Sequence, residues 1–193
     1  MRVAKVFRET AETSIEISVN LDGSGIFTGN TGIGFFDHML SSLSKHSGVD
    51  VSILKCQGDI HVDYHHLVED VGIVLGKCLN DALGDKKGIA RFGFGSVPMD
   101  ESLTQVSIDI SGRNYLYIDS KILDGRIKDF DLELVEVFFS GFVREAKITA
   151  HIDFVRGINK HHIVESTFKS FAVALKSAIR VVSDDIPSTK KFL

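Results

Sequence analysis

The sequence predicts an α+β fold made by internal duplication, with a β-β-α-β-α unit occurring twice and helices covering one face of each of two sheets. Three observations point there. The stretches "DYHHLVEDVG" around His65 and "NKHHIVESTF" around His161 carry the same His-His-x-x-Glu cluster, 161 − 65 = 96 residues apart in a chain of 193. "ETSIEISVNLDG" from Glu12 aligns with "ESLTQVSIDISG" from Glu101 (offset 89), and "FFDHMLSSL" from Phe35 resembles "FFSGFVREA" from Phe138 (offset 103). The hydrophobic period also switches between strand-like and helix-like values in the same order in both halves. Changing offsets imply insertions and deletions in loops. Residues 1–90 and 91–193 form the two repeats of one compact fused unit.

Each element follows from its pattern. Ile15, Ile17 and Val19 alternate with Glu16 and Ser18, so 13–21 is a half-buried strand. Residues 24–29 are expected to pair with it across the turn at Asp22-Gly23. A short helix over 35–46 and a strand over 49–54 follow. From 64 to 83, apolar residues recur at helical spacing, with Asp63 expected as N-cap and Gly84 just past the C-terminus. The second half repeats the series: strands near 103–110 and 114–120, a helix near 132–144, a strand near 148–155 and a helix over about 161–182. Gly93 and Gly95 form a lone GxG without a following Gly-Lys-Ser/Thr, which excludes a P-loop and reads as a turn.

Composition narrows the function classes. The 22 basic and 26 acidic residues are well mixed and leave a net charge of −4, so no basic stripe exists to hold nucleic acid. No apolar run approaches the ~20 residues of a membrane helix. Cys56 and Cys78 lack CxxC spacing and read as buried thiols of a reducing cytoplasm, with a disulfide between them as the less favoured alternative.

The histidine clusters carry the chemistry. On a helix, residues i and i+4 share a face while neighbours point about 100° apart. His65 and Glu69 can therefore grip one ion while His66 points elsewhere, and the same holds for His161 with Glu165 and for His162. Two such clusters meeting across the halves would build two metal sites. His38 in "FFDHML" and His151 in "TAHIDF" can each add an imidazole, and Asp37, Asp63 and Asp70 are candidates to orient the rings. His46 and His61 read as ordinary surface or core residues. Imidazole and carboxylate donors without thiolate suit Mn, Fe or Zn alike. Arg91, Arg113, Lys169, Ser188 and Lys190 together would suit a phosphate group.

The motifs "GFFDHML", "DYHHLVEDVGIVLG", "PMDESL", "GINKHHIVESTFKSFAVAL" and "PSTK" closely resemble the imidazoleglycerol-phosphate dehydratase family, from about residue 8 to residue 190. The resemblance implies a hydro-lyase of histidine biosynthesis that converts imidazoleglycerol phosphate to imidazole acetol phosphate with two Mn2+ per active site. It implies a homo-oligomer of 24 subunits, with sites between subunits. By motif, metal ligands fall on His38, His65, His66, Glu69, His151, His161, His162 and Glu165, and phosphate contacts on Arg91, Arg113, Lys169, Ser188 and Lys190. "RETAET" places the catalytic acid/base on Glu12; Asp100, beside Glu101, is assigned a structural or proton-handling role. Tyr64 and Lys191 depart from the family pattern, which more often has a polar residue and a glycine there. The implied chemistry is loss of the ring N–H proton to give a metal-bound imidazolate, which expels hydroxide from the side chain while a carboxylate moves protons. Rival readings of the same residues are a dinuclear hydrolase and a metal-storage or sensing protein.

Overall fold

The computed structural model describes residues 1–190 and 192–193; Lys191, one of the two departures, lies outside them. The first half runs β1 (Val3–Glu9), β2 (Thr13–Asn20), β3 (Phe27–Thr28), α1 (Gly34–Ser47), β4 (Asp50–Gly58) and α2 (His65–Leu83). The second runs β5 (Phe92–Met99), β6 (Ser102–Asp109), β7 (Tyr115–Ile118), the small hairpin β8 (Arg126–Ile127) and β9 (Phe130–Asp131), then α3 (Leu134–Ala146), β10 (Thr149–Arg156) and α4 (Lys160–Ala178). The strand orders β1-β2-β4-β3 and β5-β6-β10-β7 are the same arrangement twice. This is the duplicated α+β unit that the sequence predicts, with one further edge strand, β1 or β5, ahead of each repeat.

Several local expectations are corrected. Residues 24–29 do not pair with β2, because both edges of that strand are taken by β1 and β4. The Asp50 carboxylate accepts the N–H groups of Ser24 and Ile26, at 2.9 Å each, and draws the segment towards β4. There β3 pairs in parallel, with Phe27 opposite Val51. Gly93 and Gly95 are not a turn but part of β5, where the backbone of α4 crosses the sheet. A methyl group at either would overlap the carbonyl of Ala174 or Ser170. Tyr64, not Asp63, occupies the N-cap of α2, though the Asp63 carboxylate accepts the His65 N–H at 2.8 Å. The last helix stops at Ala178, four residues early, and the chain turns extended to bridge Val181 to Ile89.

The Phe-Phe match is one helical turn out of register. Gly48 and Lys147 both end their helices in the left-handed region, and the next strands start at Asp50 and Thr149, so the equivalence is 147 − 48 = 99. A slip of four keeps the apolar stripe in phase, so pattern alone cannot detect it.

Packing interleaves the halves. The long helices α2 and α4 lie on the sheets, while α1 packs on α4 and α3 packs on α2. The close α2–α3 approach needs Gly72 and Gly76, where a methyl group would overlap the carbonyls of Phe138 and Phe142. One continuous core results, with Phe138, Phe139, Phe168 and Phe171 at its centre and ring centroids 4.8–5.4 Å apart. Cys56 and Cys78 are free, and burial pushes both thiols up to about 12. Among the described residues, no helix is long and apolar enough to cross a membrane.

Candidate metal centre

Because α1 of the first half packs on α4 of the second, His38 meets His161 and Glu165. The Nε2 atoms of His38 and His161 lie 3.3 and 3.1 Å from Glu165 Oε2, and one donor atom from each residue falls within 4.8 Å of the others. The Asn159 side chain caps α4 by accepting the N–H groups of His161 and His162, which fixes the first turn and the i, i+4 pair. Lys169, one turn on, donates from Nζ to Glu165 Oε1 at 2.7 Å. Burial raises the Glu165 carboxyl, but Lys169, His38 and His161 outweigh it and hold the group at about 2, so it is ionised. Two imidazole nitrogens converging on a carboxylate oxygen, at the protein surface on the His38 side, form a donor set that fits a borderline divalent cation.

The remaining ligand candidates are apart from this cluster within one chain. His65 and Glu69 share a face of α2, with Glu69 Oε1 3.6 Å from Arg144 Nη2. At the offset of 99, the position of His38 is taken on α3 by Val137, so α3 supplies no imidazole to them. His66 is held through Nδ1 by Asp59 Oδ2 at 2.9 Å, and His162 through Nδ1 by Glu101 Oε2 at 2.8 Å. Those hydrogen bonds raise the two imidazoles and lower their carboxylate partners. His151 lies on the exposed face of the second sheet, its ring 5.7 and 5.6 Å from those of Tyr115 and Tyr117. Among the described residues, His38, His161 and Glu165 are the one group of three donors so assembled.

The expected ring-orienting carboxylates do other work. Asp37 accepts from the N–H and hydroxyl of Thr31, both at 2.7 Å, ahead of α1. Asp63 holds the start of α2, and buried Asp70 accepts from Arg8 Nε and the Thr13 hydroxyl. Asp59 performs the job for His66, and no strand or helix period marks it in the loop after β4. Glu101 was signalled only as the repeat counterpart of Glu12. Asp100 Oδ2 stands 3.9 Å from His162 Nε2. Tyr64 donates from its hydroxyl to Asp129 at 3.1 Å.

Glu12 is exposed in the β1–β2 turn, its Oε2 3.8 Å from His66 Nδ1. Of the phosphate candidates, Arg91 and Arg113 both approach Asp109, at 2.7 and 3.8 Å. Arg91 Nη1 also donates to the Pro187 carbonyl at 2.9 Å, which brings Ser188 beside it; the Lys190 N–H donates to Ser188 Oγ at 3.2 Å. Lys169 is separate from that group, engaged with Glu165.

A family model described as imidazoleglycerol-phosphate dehydratase matches residues 31–175. The imidazoleglycerol-phosphate dehydratase of Methylobacillus flagellatus is 50% identical over 193 residues, covering 98% of this chain and 97% of its own length. That of Hydrogenobaculum sp. is 49% identical, with both chains covered in full. The crystal structure of imidazoleglycerol-phosphate dehydratase from Staphylococcus aureus matches with a TM-score of 0.84 at 40% identity, covering 93% of this chain and 99% of that one. A Pyrococcus furiosus structure, in complex with (S)-C348, matches with a TM-score of 0.80 at 34% identity, covering 97% and 100%. The duplicated sheets, the convergent histidines and full-length similarity agree: the chain belongs to the imidazoleglycerol-phosphate dehydratase family.

Proposed function

We propose that this hydro-lyase dehydrates imidazoleglycerol phosphate to imidazole acetol phosphate in a reaction that depends on two Mn2+ per active site. The observation that carries the metal dependence is the convergence of His38, His161 and Glu165 from two helices and both halves of the chain. These three residues would hold one cation. His65, His66, Glu69, His151 and His162 of neighbouring copies would supply the further donors in a 24-subunit homo-oligomer. Bound cations supply Lewis-acid stabilisation of negative charge on the substrate ring, worth several kcal/mol.

The chain's own groups do the rest. Arg91, Arg113, Ser188 and Lys190 bind the phosphate with charge-assisted hydrogen bonds, and Lys169 joins them by turning from Glu165. Glu12, exposed and, among the described residues, with no side-chain hydrogen bond to hold it, takes the proton from the carbon next to the one that loses hydroxide. The enol so formed tautomerises to the ketone, so that one water is lost overall. The carboxylate contributes about 10²–10⁴-fold.

The test is elemental analysis with a coupled assay for the keto product, before and after chelation. Product formation that stops on chelation and returns with Mn2+ is expected. Release of inorganic phosphate instead would make the chain a hydrolase, and turnover unaffected by complete metal removal would end the metal-dependent reading.

A further inference from the structure

The carboxylates that hold one ring of each histidine pair stand at non-equivalent places in the two repeats. We infer that Asp59 is the positioning residue for His66, having taken the role that Glu101 has for His162, and that this releases Glu12 from ring positioning. The inference rests on the dehydratase reading above and deepens it.

Strands β2 and β6 begin at Thr13 and Ser102, so Glu12 and Glu101 are counterparts at 101 − 12 = 89. Glu101 is pinned: Oε2 accepts from His162 Nδ1 at 2.8 Å, while Oε1 accepts the N–H groups of Ile158 and Asn159 at 3.2 and 2.7 Å. Among the described residues, Glu12 makes none of these bonds. Its Oε2 stops 3.8 Å from His66 Nδ1, beyond hydrogen-bond range, and its side chain is 55% exposed against 36% for Glu101. Asp59 fills the gap with Oδ2 at 2.9 Å. At the offset of 99 that relates β4 to β10, the counterpart of Asp59 is Ile158, which offers no side-chain acceptor. The exchange is therefore reciprocal: each repeat has one carboxylate on its ring, drawn from a different loop.

Asp59 is also fixed where it acts. Its N–H donates to the Glu12 carbonyl at 3.1 Å, and its Oδ1 is buried without a partner among the described residues. A buried oxygen without a donor is retained only against its desolvation penalty, which singles out what the other oxygen does. A carboxylate on Nδ1–H fixes the imidazole tautomer and leaves the Nε2 lone pair free for a cation. A proton-transfer group needs the reverse, a carboxylate not tied by hydrogen bonds, and among the described residues the Glu12 side chain has none, with His66 Nδ1 at 3.8 Å.

The experiment strips metal from the full chain by chelation and titrates Mn2+ back by calorimetry, with a thermal melt of each variant. Asp59→Asn and Glu101→Gln are expected to weaken Mn2+ binding by about 10–100-fold. Glu12→Gln is expected to leave Mn2+ binding unchanged while turnover collapses. Asp59→Glu, which restores the charge, is expected to bind Mn2+ more tightly than Asp59→Asn; if the asparagine variant fails to fold, Asp59→Ser is titrated in its place, with the same weakening relative to the unsubstituted chain expected. Equal weakening by Glu12→Gln and Asp59→Asn, or no effect at Asp59, would overturn the inference. If the affinities split as expected but no keto product forms, the dehydratase reading fails and the positioning role stands.

Discussion

Glu165 is surrounded by an ammonium and two imidazoles, and this sets its behaviour in acid. With its carboxyl at about 2 against an ordinary value of 4.5, its ionised form stabilises the metal-free fold fully above pH 4.5. That contribution disappears as pH falls towards 2. Urea midpoints of the metal-free protein should therefore drop across this window, and drop less in Glu165→Gln. Lys169→Ala removes the 2.7 Å ion pair and should cost about 1.5–3 kcal/mol in denaturant unfolding, besides weakening phosphate binding. Glu12→Gln should keep the melting temperature and lose about 10²–10⁴-fold in turnover. At this scale the histidines and Glu165 were legible, because i, i+4 spacing is written along the chain. Asp59 was not, since a hydrogen bond from a loop to His66 has no sequence period.

Helices were more legible than strands. The apolar stripes of α2 and α3 repeat over many residues, whereas β3 has two residues and β1 presents apolar Val3 and Phe7 to the outside. β5 was hidden by its glycines, which read as a turn until the α4 backbone above them is seen. Glycine also separates two physical expectations in α2. Helix propensity favours Gly76→Ala by about 1 kcal/mol. The overlap with the Phe142 carbonyl opposes it, and overpacking of this kind costs about 1–3 kcal/mol. Gly76→Ala should thus lower the melting temperature, whereas Gly84→Ala at the exposed end of α2 meets nothing within 4 Å and has only its backbone strain to bear, φ being +56°.

Across the whole molecule, interleaving of the repeats joins residues 127 positions apart, His38 and Glu165, at one centre. The other ligand candidates are not gathered into that group among the described residues, so a site completed by a second copy makes a sharp prediction. Particles of His66→Ala alone and of His161→Ala alone should be inactive. Particles assembled from an equal mixture should recover up to about a quarter of wild-type turnover, since that share of sites draws each intact histidine from a different copy. Absence of recovery in demonstrably mixed particles would place both histidines in one chain's site.

The sequence by itself determined the duplication, the strand and helix periods, and which side chains could ligate a cation, because these are local or repeating properties of the chain. Only the tertiary structure decided that α1 crosses to α4, that β3 joins β4 rather than β2, and which carboxylate holds which ring. Those choices depend on edges already occupied, backbones in contact and hydrogen bonds between distant loops, and they exist only once the two repeats have packed together.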